Sequence, residues 1–419
     1  MTDALHNKRM KAEKRFRFYG VAALGFSVLV LVLLMLSLFV HGLPGFMQTQ
    51  VKLTIPFDEA LFELEEGEKL KSVSASAYVV LVRQSLKNTF PDVTEPKDRR
   101  ALYALVSSVE GWKLKTMLKK NPALLGTQKD IWLTASSLTD AFYKGNVKEE
   151  TPEANRKITN QQIAWIKELK AEGRIRKAFN TTFFSRGDSR SPERAGFLGA
   201  MAGSAFTLLI CLAVSFPLGV MTAVYLEEFA KKGRFVDIIE VNINNLAAVP
   251  SIIFGLLGLA VYINVMGLPR SASVVGGLTL ALMVLPVIII ATRAALKAIP
   301  DSIRDAARAL GASPLMVVWH HTLPLAMPGI MTGTILSLAR AIGETAPLLM
   351  IGMVAFVADV PGNFTDPATV MPVQIFLWAS SPEGGFAEKT AAGILVLLIL
   401  LLAMNALAIY LRKRLEVRW

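Results

Sequence analysis

The stretch 18–40 contains no charged residue. A helix needs about 20 apolar residues to cross a bilayer, so this stretch is long enough to span one. A secretory signal core is shorter, roughly 7–15 residues. No small-residue cleavage site follows it closely; the flank is His41-Gly42-Leu43-Pro44. The stretch therefore reads as an uncleaved transmembrane helix. Further apolar runs at 196–226, 241–265, 272–291, 325–358 and 391–411 bring the expected spans to six, with both termini on one side. Composition agrees. Hydrophobic residues make up 53% and charged residues 19%, and the mean hydropathy is +0.45; a soluble globular chain carries about 25% charged residues. Such apolarity excludes a disordered chain. A single cysteine, Cys211, excludes a disulfide scaffold or Cys-rich metal fold. His6, His41, His320 and His321 show no metal-ligand spacing, so no metal is assigned.

The net charge is +12, but residues 195–419 hold 14 basic and 12 acidic residues, with no dense basic stripe for nucleic acid. Basic residues in short loops set membrane orientation. One face would carry Lys8, Arg9, Lys11, Lys14, Arg15, Arg17, Lys231, Lys232, Arg234, Lys297, Arg304, Arg308, Arg412, Lys413, Arg414 and Arg418. The short loops of the other face contribute Arg270 and Lys389. Both termini are thus expected in the cytoplasm of a cell with a multi-pass inner membrane protein. The expected division is a basic N-terminus 1–17, a first helix 18–42, an extracytoplasmic insert 43–195, a core of five helices 196–411 and a tail 412–419.

In the insert, 51–55 reads as a strand stopped by Pro56. Helical periodicity follows at 74–90, 98–120, 128–144 and 160–180, with Leu102, Leu105, Val109 and Trp112 as an apolar stripe in the second. A mostly helical domain is expected, linked to the core by a hinge-like segment at 185–194. Nothing in it has catalytic spacing. It serves either as a contact for a soluble partner or as a spacer.

The loop 299–324 is the most informative. Pro300 starts a helix, Gly311 closes it in a left-handed cap, and Ser313-Pro314 caps and starts a second short helix that Leu323-Pro324 ends. Small Ala306 and Ala307 permit close approach of another protein. Here the chain resembles the permease subunits of ABC importers, whose loop reads Glu-Ala-Ala, three residues, Gly, nine residues, Ile-x-Leu-Pro. The match falls on Asp305-Ala306-Ala307, Gly311 and His321-Thr322-Leu323-Pro324. Asp305 replaces Glu and keeps the charge; His321 stands where Ile is usual. In that family the loop docks into an ATPase subunit and transmits its motion, which gives coupling roles to Asp305, Ala306, Ala307, Gly311, Leu323 and Pro324.

Inside the fifth span, Arg340 and Glu344 stand four residues apart, on one helix face. An intramembrane charge marks a functional site by default. The planar fork of Arg340 suits a tetrahedral oxyanion, with Glu344 holding it or accepting a proton. The alternative is a structural ion pair. Arg293, at the end of span four, is an interfacial anchor or part of an anion exit route. Arg340-Ala341-Ile342-Gly343-Glu344-Thr345-Ala346-Pro347 is similar to phosphate importer permeases of the PstA type. So are the stretches 249–256 and 217–228. The resemblance covers about 196–411 and implies a six-helix, all-α type I importer permease fold. The candidate substrate path comprises Arg340, Glu344, Thr345 and Arg293. The implied partners are a PstC-type permease, two PstB-type ATPases and a soluble PstS-type phosphate-binding protein. No Gly-x-x-x-x-Gly-Lys-Ser/Thr occurs, so ATP and Mg would sit on the ATPases, and the chain itself is read as no enzyme and without a cofactor. A permease for sulfate or molybdate is the nearest alternative. A membrane-anchored sensor is another, but it needs an output domain that short cytoplasmic loops do not supply.

Glycines at 199 and 203, and at 329 and 333, allow close helix packing. Asn242, Asn244 and Asn245 are read as caps at the start of span three, with substrate contact as the alternative, and Cys211 as packing in span two.

Overall fold

The computed structural model describes residues 2–58, 77–231 and 233–415. The first three residues of the helix expected at 74–90, together with Lys232 and Arg418, lie outside them.

Helix α1 (Thr2–Gly42) ends in a 3₁₀ turn, Leu43–Phe46, that leads straight into β1 (Met47–Pro56). The insert continues with α2 (Val79–Thr89), α3 (Pro96–Tyr103), α4 (Gly111–Lys120), β2 (Gln128–Thr134), α5 (Ser137–Lys144), α6 (Asn160–Ala171), β3 (Ile175–Phe179) and α7 (Thr181–Ser185). The strands form an antiparallel sheet in the order β2-β1-β3, with Val51 opposite Leu133 on one side and Ile175 on the other. Alternation along β1 buries Val51, Leu53 and Ile55, which pack with Leu81, Leu86, Leu102, Leu114 and Trp165 from the helices.

Helical residues dominate the insert, but its centre is this sheet, and three expected helices are corrected. The stretch 128–144 begins as β2, because Ile131 and Leu133 alternate with Asp130, Trp132 and Thr134 at the period of a strand. The stretch 160–180 ends as β3, because Gly173 at φ +68° reverses the chain after α6. The stretch 98–120 breaks between α3 and α4, where Val106 bridges to Ala135. That break keeps Leu102 and Leu105 in the core and turns Trp112 outward to 57% exposure.

The remaining elements are α8 (Leu198–Val224) with a π turn Tyr225–Phe229, α9 (Arg234–Ala247), α10 (Ser251–Leu257) with a π turn Gly258–Val265, and α11 (Ser273–Lys297). They continue as α12 (Asp301–Ala309), α13 (Pro314–Val317), α14 (Leu323–Gly343), α15 (Ala346–Met350), α16 (Met371–Ala379) and α17 (Gly385–Leu415). Among the described residues, five helices are long and apolar enough to cross a membrane, or six if α9 and α10, with its π turn, count as one span bent by 102°. The straight span expected at 241–265 is thus broken. Pro250 has no N–H to continue the ladder, and its ring displaces the carbonyl four residues back. Asn242 accordingly sits inside α9, donating to the Ile238 carbonyl at 2.7 Å, and is no cap at the span's start.

Helix α11 is the hub. Its Val275, Leu280, Val284 and Ile288 pack with Cys211 of α8 and Leu338 and Ala341 of α14. Gly329 and Gly333 bring α14 against Ala295 and Ala291, with a Cβ on Gly329 meeting Ala295 at 2.7 Å. Gly199 and Gly203 instead admit connecting segments, at Gly187 and Thr369. Helix α1 packs chiefly on α17, where Gly42 meets Leu395; its apolar residues otherwise stand outward, as lipid-facing side chains do. Helix α17 also anchors the insert. The Lys144 ammonium of α5, 5% exposed, bridges Asp140 and Glu388 at 2.7 Å each.

Candidate functional site

The loop between α11 and α14 folds into a knob. Helix α12 ends in a paired cap: Gly311, at φ +86°, donates to the Arg308 carbonyl at 2.9 Å, and Ala312 donates to that of Ala307 at 3.1 Å. The Ser313 side chain then accepts from the Met316 N–H at 3.4 Å and starts α13. Leu323-Pro324 does not end this second helix. The chain runs on through a π turn, Val318–Thr322, into α14, and the wider turn accommodates the proline without a break. Asp305 and Ala306 are exposed and Ala307 is buried, with Asp305 near Arg308 at 3.6 Å. Leu323 is buried and Pro324 exposed. The outer face carries Leu310 at 90% exposure, Leu315, Met316 and Trp319 at 61%, an apolar surface that no element among the described residues covers. His321 stands on the exposed side of the π turn.

Arg304 fixes the knob to the helices. Its guanidinium donates to Glu228 through Nε at 3.1 Å and Nη2 at 2.9 Å, and to the carbonyls of Ile299 and Leu296 at 2.8 and 2.9 Å. Both side chains are buried, at 10% and 5% exposure. Glu228 lies on the π turn that ends α8, so the pair joins the loop to the far end of another span. Beside it, Arg293 reaches Glu240 of α9 at 2.5 Å and Glu227 at 3.4 Å, with Lys297 3.8 Å from Glu227. Arg293 therefore belongs to an ionic clamp that ties α8, α9 and α11 together. The sequence reading counted Arg304 among the orienting basic residues and Glu227 and Glu228 within the stretch 217–228, but gave none of them, nor Glu240, a part in a site. The available signal was an acidic pair closing one apolar span at the level where basic residues close another.

Helix α14 stops at Gly343, well short of the expected 358, because Pro347 lacks the N–H and crowds the carbonyl of Gly343. Glu344 is the C-cap in an extended conformation, and its carboxylate lies 3.6 Å from Arg340 Nε. The pair is thus an ion pair across a helix end, and Arg340 remains 60% exposed. Thr345 is half-buried at the start of α15, its carbonyl accepting from Leu348 and Leu349. Arg340 lines a cleft of about 10 Å³ with Ser337, Met283, Val287 and Leu246. That volume holds about one water. The break between α9 and α10 opens this cleft, and α10 is seated on α15: a Cβ on Gly255 would lie 2.6 Å from Pro347 Cα. The structure does not bring Arg293 to Arg340. Arg293 lies six residues beyond Val287 on α11, about 9 Å along the axis.

Residues 215–417 match the family model described as binding-protein-dependent transport system inner membrane component, and residues 3–153 match a domain of unknown function. The chain is similar to the phosphate transport system permease protein PstA of Yersinia pestis, at 33% identity over 51% of this chain and 71% of that one. It is also similar to the PstA of Mycobacterium leprae, at 35% identity over 50% and 68%. In solved structures it is similar to a chain of the inward-facing MetNI methionine ABC transporter, at 18% identity and TM-score 0.41, over 52% and 95%. The family match spans the knob, the ionic clamp from Glu227 onward and the Arg340 cleft. The chain belongs to the PstA family of phosphate transport system permease proteins.

Proposed function

We propose that this chain is the PstA-type permease subunit of an ATP-driven phosphate importer, forming half of the translocation pathway. The observation that carries the reading is the knob. It presents an unpartnered apolar face, and a buried bidentate ion pair joins it to the end of α8. A push on the face is thereby transmitted to the helices. Two PstB-type ATPases press on such knobs, one on this chain and one on a PstC-type partner permease, and a PstS-type protein delivers phosphate from outside. Both termini lie in the cytoplasm in this reading, which the basic residues of the short loops support. The chain binds no nucleotide and catalyses no reaction; ATP and Mg belong to the ATPases.

When the two permeases rock, the cleft at the α9–α10 break widens and Arg340 meets the anion. Its fork donates two parallel bonds to phosphate oxygens, while Glu344 holds the guanidinium when the path is empty. Asp305, Ala306, Ala307 and Gly311 form the docking helix, and Leu323 and Pro324 connect it to α14. Arg293 acts in the clamp, away from the anion.

The test is labelled phosphate uptake in cells lacking their own copy, with labelled sulfate as control anion. Arg340→Gln, at equal membrane levels, is expected to lower uptake about tenfold or more, from lost charge-assisted bonds of about 1.5–3 kcal/mol. Normal transport by the variant would make Arg340 structural. Sulfate uptake by the wild type would overturn the substrate assignment. Co-purification of the ATPase, lost with Gly311→Arg, tests the knob.

A further inference from the structure

We propose that the cavity walled by Arg186, Arg190 and Arg194 is a second anion site, where a small tetrahedral oxyanion such as inorganic phosphate is captured before it enters the translocation path. The proposal rests on the function proposed above for substrate and orientation, but on different residues. All three arginines precede the span-forming family match, in the linker between insert and core.

The cavity encloses about 660 Å³ between this linker, the segment around Phe356 and Asp359, and Trp112 of the insert. A smaller one of about 180 Å³ shares Trp112, Arg186 and Arg194 and continues toward the sheet. Three guanidinium groups face two carboxylates in the larger cavity, and one of these is occupied. Asp188 Oδ1 accepts from Ser189 N–H at 2.8 Å and from the Trp378 indole at 2.9 Å. Arg293 and Arg304 are ion-paired. Among the described residues, by contrast, Arg186, Arg190 and Arg194 make no salt bridge and no side-chain hydrogen bond. Arg190 lies over the Phe356 ring at 5.7 Å. Arg194 Nε is closed off from solvent with no partner. Burial, and then the neighbouring Arg186 charge, push the Arg194 guanidinium below its ordinary pKa, while Glu193 and Glu110 act the other way. Arg194 is half-buried beside the exposed Arg186, and an anion between them relieves their repulsion.

The backbone that carries them is fixed. The Arg186 carbonyl accepts from Leu198 at 3.1 Å, the Gly187 carbonyl from Gly196 at 2.8 Å, and Asp188 N–H donates to Val357 at 3.3 Å. The loop backbone therefore needs little ordering when the ligand arrives. Paired guanidinium groups match the oxygens of a tetrahedral anion, and a cationic cleft raises the local anion concentration. The cavity is too wide to strip one anion of its water. Capture is transient, and its effect falls on the KM of uptake.

Two measurements test this. In the first, inorganic phosphate is titrated calorimetrically into the full chain in nanodiscs. Arg186→Gln with Arg194→Gln is expected to weaken binding about tenfold or more. Lys at both positions restores part of it. In the second, cellular uptake by the Gln double variant shows a raised KM at unchanged maximal rate. Wild-type phosphate affinity in a double variant with wild-type sizing and circular dichroism overturns the proposal. So does an uptake defect with unchanged phosphate affinity, which assigns the arginines to a protein contact. If the wild type moves no phosphate, the transport reading fails, and the titration alone judges this site.

Discussion

Arg304 is buried with its donors committed to Glu228 and to two carbonyls, and it has one further partner, the exposed carboxylate of Asp301 at 3.2 Å. Removing one member of such a pair strands the other, at a cost of about 3–5 kcal/mol. Glu228→Ala is therefore expected to lower the thermal unfolding temperature of the purified chain sharply, and Glu228→Leu with Arg304→Met to lower it less. Equal losses would mean that the pair contributes no more than its packing. Gly255 makes a different point. An added Cβ would meet backbone atoms of Pro347 at 2.6 and 2.7 Å, and backbone cannot swing aside as a side chain does. Gly255→Ala should cost about 1–3 kcal/mol of overpacking and depress phosphate uptake at normal membrane levels. Wild-type uptake in this variant would show that α10 and α15 need not stay in register.

At the scale of elements, proline and glycine decide where helices end. Pro250 breaks span three and Pro347 ends α14, yet Pro324 is absorbed by a π turn, so one residue type has two outcomes. Gly311 has open space around its Cβ position but a backbone at φ +86°. Alanine there carries only the left-handed penalty, about 1–2 kcal/mol, whereas arginine adds bulk at the exposed face of the knob. Gly311→Ala is expected to weaken ATPase co-purification and Gly311→Arg to abolish it. Equal behaviour of the two would assign the whole effect to backbone strain.

For the whole molecule, the insert is held to the membrane helices through Lys144 and Glu388. Lys144→Met leaves two carboxylates facing each other at that contact. Faster hydrogen exchange in α5 and at the start of α17 is expected, with the sheet core unchanged. Exchange confined to wild-type rates would mean that other contacts suffice. Orientation is checked with an impermeant maleimide, since the native Cys211 is buried. Lys97→Cys in the insert should label from outside intact cells, and Ser313→Cys in the knob only after the cells are opened. The reverse pattern would invert the topology.

The amino-acid sequence by itself determined the number and order of apolar stretches, the loop with its left-handed glycine and the charged pair at Arg340 and Glu344. Each is written locally: span length in a run of side chains, a cap in one glycine, a pair in a spacing of four. Tertiary structure alone decided the sheet at the centre of the insert, because Gln128–Thr134 and Ile175–Phe179 become strands only by pairing with Met47–Pro56, far away in sequence. It likewise decided the partners of Arg304 and Arg293. Glu228 lies 76 residues from Arg304 and Glu240 lies 53 from Arg293, and no local periodicity encodes which charges a fold places side by side.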